Sequence, residues 1–136
     1  MLSSQNEVII IVVGLIVLGL ASLLLRRRPR TLNQEYFRRQ WQAVQSLCQD
    51  KSTWPLAIIN GDQLLDEALK KLHFKGDTMG KRLVAAQRKL SNNDSTWQAH
   101  KLRNRLVHEA DVGLKENDVK RSLVGIRQAL KDLGAL

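Results

Sequence analysis

The chain lacks several features that mark common classes of protein. Its 136 residues include a single cysteine, Cys48, which cannot form an internal disulfide and suits a reducing compartment. No HExxH motif, cysteine pair or glycine-rich phosphate loop occurs, so we expect no metal ion and no cofactor. No segment alternates polar and apolar residues over a useful length, which argues against a β fold.

Aromatic residues and prolines are also scarce. Aromatics make up 4% of the chain, and Trp41, Trp54 and Trp97 fall in separate predicted helices. Such scattered rings do not form a base-stacking platform, so we expect them to anchor the core or an interface. Of the two prolines, Pro29 interrupts helix formation and Pro55 is compatible only with the first turn of a helix.

One long apolar run is present, over residues 8–25, without a single charge. As a helix it would extend about 27 Å, close to the thickness of a bilayer's hydrocarbon core. No Lys or Arg precedes it. Basic residues follow it immediately: Arg26, Arg27, Arg28 and Arg30. A cleaved signal peptide has the opposite charge order. Residues 1–30 are therefore predicted to be a single-pass anchor in the inner membrane, with the N-terminus outside and residues 31–136 cytoplasmic.

The net charge of +9 at pH 7 falls to +6 when residues 1–30, with four arginines and one glutamate, are set aside. A basic balance of this size is compatible with RNA or with an anionic membrane surface as partner. Charge alone does not choose between these two partners.

Residues 31–136 are predicted to fold as an all-α, up-and-down bundle of about five helices with short loops. The first helix covers about 32–49, and the second begins after Ser52 or Thr53 and ends near Gly76. The third is capped by Asp77 or Thr78 and directs Leu83, Val84 and Leu90 inward. The fourth covers about 95–109, and the last carries one apolar stripe: Val119, Leu123, Ile126, Leu130 and Leu133. Gly61, inside the second helix, is expected to allow close helix packing.

The second helix also carries three acids within "GDQLLDE": Asp62, Asp66 and Glu67. Asp62 and Asp66 share a face at a spacing of four residues. We interpret them as solvated acids of a capped helix, with a paired-carboxylate site as the alternative.

The fourth helix contains "KLRNRLVHEA", residues 101–110. Its core face is predicted to hold Ala99, Leu102 and Leu106. Its opposite face is predicted to hold His100, Asn104 and His108, with Arg103 at the edge. The side chains of Arg103 and His108 are about 140° apart around a regular helix, so both cannot contact the same atom of a substrate. An unwound last turn, or a second copy across a two-fold axis, would bring them together.

These residue types suit metal-free cleavage of a phosphodiester. Histidine can act as base or acid near neutral pH, and the arginine fork matches a phosphate. The candidate catalytic residues are Arg103, His108 and Asn104, with His100 in support. The candidate RNA-backbone contacts are Lys101, Arg105, Arg82 and Arg88. The alternative interpretation is an ordinary solvated helix face.

"RNRLVHE" resembles the signature of the HEPN superfamily, in which an arginine and a polar residue precede a histidine. Arg103, Asn104 and His108 match these positions, and the resemblance covers about residues 32–136. It implies a small helical bundle, and in many members a metal-independent endoribonuclease with its site between two protomers. Toxin relatives often have a Tyr two residues after the His as a target for adenylylation. Ala110 occupies that position here, so this regulation is not expected.

The chain is also similar to a group of uncharacterised small single-span bacterial membrane proteins, a likeness that implies architecture and no activity. It is carried by four segments: "AIINGDQLLDEAL", "TMGKRLVAAQRKL", "AHKLRNRLVHEADVGL" and "ALKDLGAL". Three functions stay open: a membrane-anchored endoribonuclease that acts as a homodimer, a non-catalytic module that binds a protein or nucleotide partner, and a scaffold that docks on anionic lipid.

Overall fold

The computed structural model describes residues 4–26 and 30–136. Over these residues the chain is all-helical, with six α-helices and no strand, which confirms the predicted class. The helices are α1 (Ser4–Arg26), α2 (Gln34–Ser46), α3 (Trp54–Lys71), α4 (Met79–Ala86), α5 (Asn93–His108) and α6 (Glu116–Asp132). Two single 3₁₀ turns, Leu47–Gln49 and Lys51–Thr53, connect α2 to α3.

The chain divides into two units, residues 1–30 and residues 31–136. In the first, an 18-residue stretch of α1 has a mean hydropathy of 3.2, and none of the residues of α1 is buried. It is long and apolar enough to span a membrane, although a signal sequence near an N-terminus would share these properties. Arg26 ends this helix and Arg30 is exposed, whereas Arg27, Arg28 and Pro29 lie outside the described residues.

In the second unit α3 is the central helix, because α2, α4, α5 and α6 all pack against it. The largest fully buried apolar side chains come from every helix of the unit except α5: Phe37, Ile58, Leu65, Leu69, Leu83, Ile126 and Leu130. The whole hydrophobic core lies within residues 31–136. This unit therefore has its own core.

Two glycines let helices approach closely. A Cβ atom added at Gly125 of α6 would lie 2.7 Å from the carbonyl carbon of Ser95 in α5. A Cβ atom at Gly61 of α3 would lie 3.2 Å from Cδ1 of Ile126. The close packing expected at Gly61 is present, and the closer approach at Gly125 sets the distance between α5 and α6.

The end of α3 differs from the prediction. The helix ends at Lys71, five residues before Gly76, in a Schellman motif. His73 takes the left-handed conformation with φ of 59°, and its N–H donates to the carbonyl of Lys70. Phe74 donates its N–H to the carbonyl of Leu69. A histidine rather than the expected glycine therefore ends the helix.

The short helix α4 begins as predicted, because the Thr78 side chain accepts the N–H of Lys81. Its inward face is different. Val84, expected to face the core, is 54% exposed, whereas Leu83 is fully buried and Arg82 is 7% exposed. With only eight residues, α4 presents one narrow face to α3, and Val84 falls outside it.

Candidate functional site

A polar cluster lies where α5 packs against α3. It joins Asp62 of α3 to His100, Arg103 and Asn104 of α5. Asp62 and His100 are buried, at 2% and 9% exposure, whereas Arg103 and Asn104 are half-buried. The cluster therefore runs from the interior of the bundle to its surface.

The contacts within the cluster form a continuous series. His100 Nδ1 lies 3.2 and 3.1 Å from the two carboxylate oxygens of Asp62. The other ring nitrogen, Nε2, lies 3.4 Å from the side-chain nitrogen of Asn104. Nη1 of Arg103 donates a hydrogen bond of 3.0 Å to Oδ1 of Asn104.

Donor and acceptor chemistry gives this series a direction. An ionised carboxylate only accepts, so the proton of the His100 ring is assigned to Nδ1, facing Asp62. A guanidinium only donates, so the oxygen of Asn104 faces Arg103 and its amide N–H faces Nε2. In a neutral ring, Nε2 then carries the lone pair, which faces the Asn104 N–H at 3.4 Å. The cluster thereby fixes the tautomer of His100, and Nε2 becomes available as a base when the Asn104 amide moves aside.

The Arg103 guanidinium has hydrogen-bond donors that are not used within the cluster. Its Nε is buried and has no hydrogen-bond partner among the described residues. The nearest carboxylate oxygen, Oδ2 of Asp62, is 3.7 Å away, too far for a hydrogen bond. A buried N–H without an acceptor costs about 1–3 kcal/mol. Since 27% of the side chain is exposed, the remaining guanidinium donors can reach an anion at the surface.

A cleft of about 430 Å³ opens beside the cluster. One wall is the cluster itself, and the other is the start of α4, with Thr78, Met79 and Gly80. The first N–H groups of a helix have no intrahelical acceptor. Thr78 takes the N–H of Lys81, which leaves those of Met79 and Gly80. Helix N-termini favour anions, so both walls offer donors to a negatively charged group.

Gly80 keeps the space in front of His100 open. A Cβ atom at this position would lie 4.0 Å from Nε2 of His100 and 3.8 Å from the ring of Trp97. These are ordinary van der Waals distances, so an alanine would fit. A longer side chain would occupy the part of the cleft next to Nε2.

A buried ion pair attaches α4 to α3 on the same side of the unit. Nε and Nη2 of Arg82 donate to the carboxylate of Asp66 at 2.7 and 2.9 Å, and Nη1 donates to the carbonyl of Gly76 at 2.7 Å. Lys70 contacts the same carboxylate at 3.0 Å. Burial acts to raise the pKa of Asp66, but the hydrogen bonds from Arg82 and Lys70 outweigh it and lower the pKa below its ordinary value.

Two residues predicted on the surface are buried. His100, expected opposite the core, lies on the buried face of α5 together with Thr96 and Ala99. The helix turns this face inward because α3 and α6 both pack against it. Arg82, expected to contact RNA, is also buried, and its guanidinium is taken up by Asp66 and Gly76. Arg82 is therefore removed from the candidate RNA contacts.

The interpretation of Asp62 and Asp66 as solvated acids is wrong for both residues, since each makes buried contacts. A signal for Asp62 was present in the sequence. It falls in the apolar stripe that also contains Ile58, Leu65 and Leu69, and an acid on a buried face needs a partner. Neither acid forms a paired-carboxylate site, because each is bonded to a cation or a histidine instead.

His108 lies apart from this cluster. It is exposed at the end of α5 and does not line the cleft. The structure therefore brings Arg103, Asn104 and His100 together, adds Asp62 to them, and leaves His108 outside within one copy of the chain.

The remaining candidate RNA contacts are on the surface. Lys101, Arg105 and Arg88 are all exposed. Arg105 pairs with Glu109 at 3.3 Å in the last turn of α5, an exposed pair that a phosphate can displace because such pairs contribute little. In residues 4–26 and 30–136, no three His, Cys, Asp or Glu side chains come together in a way that could hold a metal ion.

Compared with protein-family models, curated proteins and solved structures, the chain matches none. The assignment of function therefore rests on the motif and on the geometry of the cluster.

Proposed function

We propose that residues 31–136 form an HEPN-like domain that cleaves RNA without a metal ion, at a composite site completed by a second copy of the chain. The observation that carries this proposal is the oriented series from Arg103 through Asn104 and His100 to Asp62, which opens on the cleft. It combines a cation for the phosphate, a base, and a group that orients the base.

The reaction uses these groups in order. The scissile phosphate lies between Arg103 and the start of α4, where both walls of the cleft donate hydrogen bonds. When the substrate binds, the Asn104 amide turns away from Nε2 of His100, which takes the proton of the 2′-OH, and the resulting oxygen attacks phosphorus. The 5′-oxygen leaves with a proton from a general acid, the role we assign to His108 of the second copy. Asp62 stabilises the imidazolium that His100 becomes.

The proposal is tested with residues 31–136, a mixed RNA pool, and EDTA. We expect cleavage that survives EDTA, and losses of at least about 100-fold in His100→Gln, Arg103→Ala and His108→Ala, because a positioned acid or base contributes about 10²–10⁴. His73→Asn is the matched control, since His73 is exposed and asparagine tolerates its left-handed backbone. Gly80→Leu, which fills the cleft beside Nε2 without removing a polar group, is expected to lose activity and stay folded.

Several results would count against this assignment. Cleavage abolished by EDTA would exclude a metal-independent reaction. Full activity in His100→Gln would remove His100 from the mechanism and leave Arg103 and His108 as in the motif. Mixing inactive His100→Gln with inactive His108→Ala should restore activity if the site is shared between two copies, and no recovery would contradict the shared site.

A non-catalytic binding or scaffolding module is the second candidate. The observation that favours it is the presence of two carboxylates, Asp62 and Asp66, among the residues that line the cleft, because negative charge opposes the approach of RNA. If neither the wild type nor any variant cleaves RNA at a concentration where the dimer is confirmed, this second function is favoured. Binding of residues 31–136 to anionic vesicles, unaffected by Arg103→Ala, would favour a lipid scaffold.

We further propose that α1 spans the inner membrane with its N-terminus outside, because the basic residues follow the apolar run. In intact spheroplasts, we expect externally added protease to leave residues 31–136 undigested and to degrade them only after lysis. A signal sequence would instead give a shorter chain that is digested without lysis or released from the cells. Either of these results would overturn the proposed topology.

A further inference from the structure

Asn104 joins the cation of the cluster to the histidine. Its amide oxygen accepts the hydrogen bond of 3.0 Å from Nη1 of Arg103, and its amide nitrogen lies 3.4 Å from Nε2 of His100. Among the residues that the structure describes, the Arg103 guanidinium makes no other hydrogen bond, and its buried Nε has no acceptor. The contact with Asn104 is therefore what holds this guanidinium in place when no anion is bound.

The orientation of the Asn104 amide depends on the protonation state of His100. Nδ1 of the ring faces Asp62, so a neutral ring presents its lone pair at Nε2, and the amide turns its N–H toward that lone pair. A protonated ring presents an N–H at Nε2 instead, and two N–H groups cannot form a hydrogen bond with one another. Protonation therefore favours a rotated amide, whose oxygen accepts the N–H of Nε2.

The rotation takes the acceptor away from Arg103. The amide nitrogen of Asn104 then faces Nη1 of Arg103, and both groups are donors. The nearest carboxylate oxygen, Oδ2 of Asp62, lies 3.7 Å from Nε, beyond hydrogen-bond distance, and the same carboxylate already faces the His100 ring. Protonation of His100 therefore releases the Arg103 guanidinium, which is then free to bind an anion in the cleft.

We propose that Asn104 is a positioning residue that couples anion binding at Arg103 to proton binding at His100, so that each strengthens the other. The coupling is reciprocal, as linkage requires. An anion that draws Arg103 away frees the amide to rotate, and the rotated oxygen stabilises the protonated ring. The biological role of this coupling rests on the proposed function: the phosphate of RNA, once bound at Arg103, makes Nε2 a stronger base for the 2′-OH, whereas without a phosphate the Asn104 N–H covers Nε2.

The other charged groups around His100 do not provide this coupling. Asp62 faces Nδ1, which carries a proton in both states of the ring. Asp66 lines the same cleft, but Arg82 holds its carboxylate. Residues 78–80 of α4 line the cleft without a charge, and α6 contributes no residue to the lining. A bound anion also attracts the imidazolium directly, so the experiment has to separate this attraction from the rotation of the amide.

The coupling is measured with sulfate, which takes up no proton itself near neutral pH. The full chain, in nanodiscs of zwitterionic lipid and with isotope-labelled histidine rings, is titrated with sulfate over a range of pH. The His100 resonance, identified by its absence in His100→Gln, reports both sulfate binding and ring protonation. We expect sulfate to bind at least about fivefold more tightly when the ring is protonated, because the net gain from one hydrogen bond corresponds to about a fivefold change in an equilibrium constant.

Two comparisons isolate the amide and the cation. Asn104→Leu keeps the approximate shape of the side chain and removes the amide, so the ratio of the two sulfate affinities should fall about fivefold. Asn104→Ala serves the same purpose if leucine disturbs the fold. Arg103→Gln should abolish the response to sulfate, whereas Arg105→Gln, which changes an exposed arginine of the same helix outside the cleft, should keep it.

Three results would overturn the coupling. These are an equal ratio in the wild type and in Asn104→Leu, a response to sulfate that survives Arg103→Gln, and a His100 ring that stays neutral in the folded protein at every pH with sulfate present. RNA cleavage by the same proteins is a separate measurement. Coupling without cleavage would count against the proposed function alone, and cleavage without coupling would count against the role of Asn104 alone.

Discussion

Replacing Gly125 by alanine is expected to destabilise residues 31–136 by about 2 kcal/mol. The new Cβ atom would lie 2.7 Å from the carbonyl carbon and Cβ of Ser95 and 2.9 Å from its carbonyl oxygen. These are mostly backbone atoms, so α5 has to move away from α6 to make room. Overpacking costs about 1–3 kcal/mol, and contact with backbone places this position at the upper end. The higher helix propensity of alanine offsets about 1 kcal/mol of that cost. Urea denaturation followed by circular dichroism measures the loss.

Gly61→Ala is the matched control. Its new Cβ atom would meet the end of a flexible side chain, Cδ1 of Ile126, at 3.2 Å. Alanine also gains about 1 kcal/mol over glycine in a helix interior, so we expect a net change within about 1 kcal/mol. Equal losses at Gly61 and Gly125 would contradict the idea that the backbone of Ser95 is the obstacle.

Asp66→Asn is expected to lose about 3 kcal/mol of stability at pH 7. The substitution leaves the Arg82 guanidinium buried without its counter-charge, and breaking a buried pair costs about 3–5 kcal/mol. We take the lower end because the Asp66 side chain is 16% exposed. Lys70→Met removes an exposed contact to the same carboxylate and should cost less than about 1 kcal/mol. Asp66→Asn combined with Arg82→Met should recover part of the loss, since the only charge left without its partner is then the exposed Lys70.

The effect of Asp66 also depends on pH. Because its pKa is lowered in the folded state, its stabilisation is fully present above the ordinary aspartate pKa of about 3.9 and is lost as the pH falls through the lower folded-state value. The difference in stability between wild type and Asp66→Asn should therefore narrow below about pH 4. A difference that stays constant down to the acid unfolding of the wild type would show that the carboxylate charge does not matter.

The periodic apolar residues were sufficient to predict the helices. The stripe of α6 is a clear case: Ile126 and Leu130 are fully buried, and Val119 and Leu133 nearly so. Capping chemistry also limited the start of α4 to Asp77 or Thr78, of which Thr78 is the cap. Helix ends were harder to predict, because the left-handed residue after α3 is His73 and not a glycine. A histidine in the sequence does not by itself indicate that conformation.

The candidate site was only partly predictable. The motif identified Arg103 and Asn104, but the helical wheel placed His100 on the wrong side, since a wheel for one helix contains no information about its neighbours. His100 is buried because Asp62, 38 residues earlier in the chain, lies opposite on α3. That pairing arises from the packing of the two helices. Whether His108 meets the same cleft depends on a second copy, which no pattern within one chain determines.

The attachment of α4 has a consequence for the dynamics of the cleft. This eight-residue helix packs almost entirely against α3, and one buried ion pair reinforces that contact. Detaching it loses the burial of its own few side chains and this ion pair, while α3, α5 and α6 keep their mutual packing. Local opening of this kind has a lower free energy than global unfolding. We therefore expect this wall of the cleft to open without unfolding of the rest of the bundle.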